Sequence, residues 1–219
     1  MDRLSRFAPL TGLVATLMFA VGNAIWAFDQ PPRDADAERL LSFYESTSTE
    51  IVIGETVSAV SLFFLVWFGA VLYEWLSGAE GARRSGLPLM AFGGAVLTAA
   101  VGLGAETINL VAAMRADDGE LTAEAAQIYF DVSFMFGYTA AAVAMAALAA
   151  PIALIAMRAG RSLTGWLAWS VVAVSVVMLI PQLSLLRLFA VPVVLLGTLS
   201  GRMYRLGPEV LTGRPAEPG

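Results

Sequence analysis

Uninterrupted runs of about 20 apolar residues, each long enough to cross the hydrocarbon of a bilayer, constrain this chain more than any other feature. The first run is APLTGLVATLMFAVGNAIWAF, residues 8–28. Others follow at 51–75, 87–114, 126–157, 163–180 and 188–203. The last two are short, and Pro181 and Pro192 interrupt them. Residues 163–203 therefore read as two crossings or as a broken hairpin, with two crossings favoured. Arg3 and Arg6 precede the first run, as in a signal peptide. That run is long for a signal segment and more spans follow it, so it is expected to be a retained helix.

The composition supports this reading. The chain is 58% hydrophobic and 14% charged, against roughly 45–50% and about 25% in soluble domains. Such a chain cannot cover its surface with polar groups, so the lipid bilayer is its expected solvent and partner. The expected fold class is all-α: a polytopic membrane bundle of about six transmembrane helices, forming one domain over residues 1–205. Residues 206–219 carry Pro208, Pro215 and Pro218 and are expected to form a disordered cytoplasmic tail.

Arginine placement orients the bundle, since cytoplasmic loops collect positive charge. With six spans, nine Arg fall on one side and four (Arg33, Arg39, Arg115 and Arg187) on the other. Both termini are thus expected in the cytoplasm. The outer segments are acidic: 29–50 holds six acids and two Arg, and 115–124 holds four acids and one Arg. Trp26, Tyr44 and Tyr129 are expected at the outer interface, and Trp75, Trp166, Trp169 and Tyr204 at the inner one. In the first outer loop, Pro31-Pro32 stops the preceding helix and Asp34 or Asp36 can cap a new one. A short helix over about 35–45 is expected on the outer surface, broken by Ser46-Thr47-Ser48-Thr49-Glu50 before the second span.

Several chemistries are excluded. There is no Cys and no His, and all thirteen basic residues are Arg. Thiolate catalysis, disulfides, iron–sulfur clusters, His-ligated haem or zinc and Ser-His hydrolysis are therefore ruled out. No Walker-type phosphate loop is present. Gly102-Leu103-Gly104-Ala105-Glu106 approaches the Gly-x-Gly-Asp of intramembrane aspartyl proteases, but Ala105 stands where the Asp is needed. No cofactor is expected, and the net charge of −5 argues against a nucleic-acid partner. The chain is read as a non-enzyme, with carboxylate-only catalysis the one class left open.

Ionisable groups within apolar spans raise a functional question because they are costly there. Glu55, Glu106 and Asp131 qualify. Glu55 has Ser58 nearby on its helix, Glu106 has Asn109 at i+3, and Asp131 has Gln127 at i−4. Counting span lengths from the inner boundary puts all three acids near the outer interface, level with Asn23 on the first span and Arg187 on the last hairpin. The candidate ligand-binding set is Glu55, Glu106, Asp131, Asn23, Asn109, Gln127 and Arg187, with any metal role unknown. These groups would form an acidic vestibule opening outward. The competing reading is structural: the acids meet Arg187, Arg115, water or backbone and close the bundle's outer end.

Two patterns concern packing. The motif N-x13-A-E-x4-aromatic-aromatic-acid occurs from Asn23 to Glu45 and again from Asn109 to Asp131, offset by 86 residues. A duplicated helical hairpin would produce this echo, and so would chance. Gly197 and Gly201 form a G-x-x-x-G pair, which suits packing within the bundle or a homodimer or larger membrane complex.

The layout resembles that of uncharacterised multi-pass membrane proteins of actinobacterial type. The likeness lies in QPPRDADAERLLSFYES (30–46), LFFLVWFGAVLYEWL (62–76), the Gly-rich AFGGAVLTAAVGLGAE (91–106) and Gly165-Trp166-Leu167-Ala168-Trp169 ahead of a last apolar hairpin. It covers most of residues 8–203 and implies a bacterial plasma-membrane location. It carries over no catalytic residue. Two functions are expected: binding or transport of a cation or small polar or amphipathic molecule, or a non-catalytic accessory or structural subunit.

Overall fold

The structure, a computed structural model, describes residues 7–80, 85–158, 173 and 196–205. The expected span 163–180 apart from residue 173, the first part of the span 188–203, Arg187 and the tail 206–219 lie outside the described residues. What is described is helical, with no strand.

Helix α1 spans Thr11–Ala24, entered through a 3-10 turn at Ala8–Leu10 that Pro9 initiates. It stops four residues before the expected boundary. Beyond Ala24 the chain winds in turns, with Ala27 N–H donating to Asn23 O and Asp29 N–H to Trp26 O. Asp36 then caps α2 by accepting from Arg39 N–H at 2.8 Å.

Helix α2 runs Ala37–Glu80. At 1.5 Å per residue it is about 66 Å long, twice a bilayer's hydrocarbon, so part of it stands clear of the membrane. The expected separate surface helix is thus the first part of α2. Only Thr47 leaves helical geometry, at φ −123° and ψ 16°. Its hydroxyl bonds back to Phe43 O, and the rod kinks there without ending.

Helix α3 covers Leu87–Asp117, opened by Gly86 in the left-handed region and by Pro88. Its end is a Schellman turn: Glu120 N–H reaches Arg115 O, Gly119 N–H reaches Ala116 O, and Gly119 takes φ +69°. Thr122 caps α4, Ala123–Phe134, by accepting from Ala125 N–H. A π-helical segment, Met135–Ala140, joins α4 to α5, Ala141–Arg158. Among the described residues, three stretches are long and apolar enough to cross a membrane: Ala37–Glu80, Leu87–Asp117 and Ala123–Ile155. Ala8–Ala24 is a shorter apolar helix.

The described residues form two apolar cores. The larger joins Ala15 of α1, Leu62, Leu65, Phe68 and Leu72 of α2, Ala91, Ala95 and Ala99 of α3, and Met145, Leu148 and Ile152 of α5. Leu196, Leu199 and Met203, from the helical residues 196–205, complete it. Gly197 of the G-x-x-x-G pair faces Leu13, a packing contact within the chain. Large apolar side chains such as Phe63, Trp67, Leu89 and Val143 point outward, as a lipid-facing surface requires.

The second core lies at the acidic-loop end. It gathers Trp26 and Ala27, Leu40, Phe43, Tyr44 and Ile51 of α2, Ala112, Ala113 and Ala116 of α3, and Leu121, Ala126 and Phe130. Trp26 and Tyr44 were expected at the lipid interface, but both are buried here. The reason is the length of α2, which folds its first turns over α3 and α4 instead of laying them on lipid. The two copies of the echo occupy matching places. Ala37 and Ala123 each open a helix, Tyr44 and Phe130 are each buried in this core, and Glu45 and Asp131 each face outward.

A candidate cation site between the two cores

A polar layer separates the cores. Its positions follow from two close helix approaches. At Gly22 of α1 and Gly54 of α2 the backbones nearly touch: a methyl group added at Gly22 would meet Gly54 O and Ser58. Added at Gly54, it would meet Gly22 O and the Trp26 ring. Small residues allow this proximity, and it brings their neighbours Asn23 and Glu55 into the interior. Asn23 Nδ2 donates to Ser58 Oγ at 3.0 Å and to Phe19 O at 3.0 Å. From the facing helix, Asn109 Nδ2 donates to Glu55 Oε1 at 2.8 Å, and Tyr44 O–H donates to Asn109 Oδ1 at 3.2 Å.

Glu55 is 2% exposed and Glu106 is 7% exposed. Glu106 Oε2 has no hydrogen-bond partner among the described residues, nor has the buried Trp26 Nε1–H. An ionised carboxylate left without partner or counter-charge in such surroundings costs several kcal/mol or more. The layer thus displays one unmet acceptor and one unmet donor.

Both atoms belong to residues lining a cavity of about 130 Å³. Asn23, Glu55, Glu106 and Asn109 provide its polar lining, with Gln30 and Ser133. Phe19, Trp26, Leu62, Phe130, Phe134 and Met145 make the rest largely apolar and aromatic. Near Gln30, the Arg33 guanidinium stands 4.6 Å from the centre of the Phe134 ring and pins the loop beside the cavity. Among the described residues no three acidic groups converge as a metal cage would need.

Four of the expected site residues, Asn23, Glu55, Glu106 and Asn109, therefore meet. Asp131 and Gln127 do not: both are exposed and neither is among the cavity-lining residues. They lie on the far side of α4 because Ala126, Phe130 and Ser133 take its inner face. The three-acid site is thus a two-acid site. Trp26 and Phe130 of the cavity's lining also belong to the second core. Arg187 lies outside the described residues. Sequence reasoning missed Trp26 and Tyr44 as members of the layer. The signal was available: Tyr44 and Phe130 hold the same place in the 86-residue echo. The chain matches no protein-family profile, no curated protein and no solved structure.

Proposed function

We propose that the chain is a bacterial plasma-membrane protein of about six spans, with both termini inside, that binds or carries a small organic cation in this cavity. The observation that supports the reading best is the unpartnered Glu106 Oε2 in a cavity shared with Glu55. Two buried carboxylates ask for positive charge. The aromatic lining favours an organic cation over a hydrated metal ion, because rings attract ammonium groups through their faces. A metal such as calcium takes six or more oxygen ligands, carboxylates prominent among them, and only two acids among the described residues line this cavity.

The test is binding of 2-phenylethylamine to the purified chain in detergent micelles, by calorimetry, for wild type and Glu106→Gln. The isosteric amide keeps the shape and removes the charge, so affinity should fall about tenfold or more. Equal binding by both forms would take Glu106 out of the site. Absence of binding to wild type would favour the accessory or structural subunit.

A further inference from the structure

The two carboxylates face more than the central cavity. A groove of about 390 Å³ on the outside of the α2–α3 pair is lined by Glu55, Thr56, Ala59 and Val60 of α2 and by Glu106, Thr107 and Leu110 of α3. Glu55 and Glu106 line both spaces, so they form the partition between them. Thr56, Val60 and Thr107 are exposed, so the groove looks away from the bundle. Its hydroxyls are already satisfied: Thr56 Oγ1 donates to Val52 O at 2.7 Å and Thr107 Oγ1 to Leu103 O at 2.6 Å. The polar demand left in the groove is that of the carboxylates.

Depth fits the membrane. Glu106 lies 19 residues from the start of α3 and 11 from its end, or about 28 Å and about 16 Å along the axis. A bilayer's hydrocarbon is about 30 Å thick, so with α3 starting at the inner boundary Glu106 stands where hydrocarbon gives way to headgroups. An amphiphile dissolved in the outer leaflet holds its charged head at that level and its chain below.

We infer that a membrane-dissolved alkylammonium cation reaches Glu55 and Glu106 sideways, through the groove between α2 and α3, its head meeting the carboxylates while its chain stays in lipid. This rests on the reading of the cavity as a cation site and adds the class of cation and its route. An anion is excluded by charge, and a neutral lipid would bring the two carboxylates no counter-charge.

The test uses the full chain in phosphatidylcholine vesicles, with ethylammonium and decylammonium as probes and protein-free vesicles correcting for partition. Thr107→Trp and, independently, Val60→Trp fill the groove at lipid-facing positions without touching the cavity. Wild type should bind decylammonium at least about tenfold more tightly than ethylammonium. Each Trp variant should weaken decylammonium about tenfold and leave ethylammonium within about twofold. Undiminished decylammonium binding in a folded Trp variant, or no preference for the longer chain in wild type, would overturn the lateral route. If ethylammonium still binds and Glu106→Gln still weakens it, the cation site survives that failure. Wild type that binds neither probe would overturn both.

Discussion

Asn109 and Glu55, 54 residues apart, are joined at 2.8 Å across the α2–α3 interface. A carboxylate only accepts, so the amide must turn its NH2 toward Glu55 and its oxygen toward the Tyr44 hydroxyl. One side chain thereby ties the polar layer to the second core and holds Glu55 in the cavity it shares with Glu106.

Removing that link should cost stability. Asn109→Leu leaves Glu55 and Tyr44 buried without their shared partner and should destabilise the bundle by about 1–3 kcal/mol. Tyr44→Phe removes only the weaker bond and should cost about 0.5–1.5 kcal/mol. Thermal unfolding in detergent reads both. A variant Asn109→Leu as stable as wild type would show the link to be idle.

The glycine contact supplies a sharper contrast. Gly54→Val must push against Gly22 O and Trp26, so α1 should separate from α2, at a cost of about 1–3 kcal/mol or more. Nothing lies within 4 Å of a methyl group added at Gly93. Gly93→Ala should therefore be neutral, or stabilising by up to about 1 kcal/mol through helix propensity. Equal melting temperatures for the two variants would contradict the close approach.

Arg33 over Phe134 should restrain the loop next to the cavity. The native chain has no Cys, so a single Gln30→Cys reports on that loop cleanly. Adding Arg33→Ala removes about 0.5–1 kcal/mol of cation–π attraction and should speed maleimide labelling of residue 30 by about two- to fivefold. An unchanged rate would mean that the loop is held by other contacts.

The same background tests sidedness. Glu45→Cys and Arg158→Cys lie toward opposite ends of the bundle, since Arg158 pairs with Glu80 at the far end of α2 at 4.0 Å. In sealed bacterial cells, a membrane-impermeant maleimide should label position 45 and spare position 158. Labelling of both or neither would refute the proposed orientation.

Much of this was legible before any coordinates. Spans two, three and four, a cap at Asp34 or Asp36, and the shared level of Asn23, Glu55 and Glu106 follow from run length and spacing. They depend on neighbours a few residues away, and a helix's rise per residue is constant. Which way each side chain turns was not so accessible. Asp131 sits on an apolar span with a polar neighbour at i−4, as Glu55 and Glu106 sit near theirs, yet it faces outward. Ala126 and Phe130 take the inner face of α4 because it packs in one core with Ala112 and Ala113 of α3 and with Tyr44, which comes from the part of α2 before its bend at Thr47. Local pattern thus sets the helices and the depth of their charges. The meeting of Glu55 with Asn109, and the lack of a partner for Glu106 Oε2 among the described residues, belong to long-range packing, where contacts dozens of residues apart are chosen by how whole helix surfaces fit.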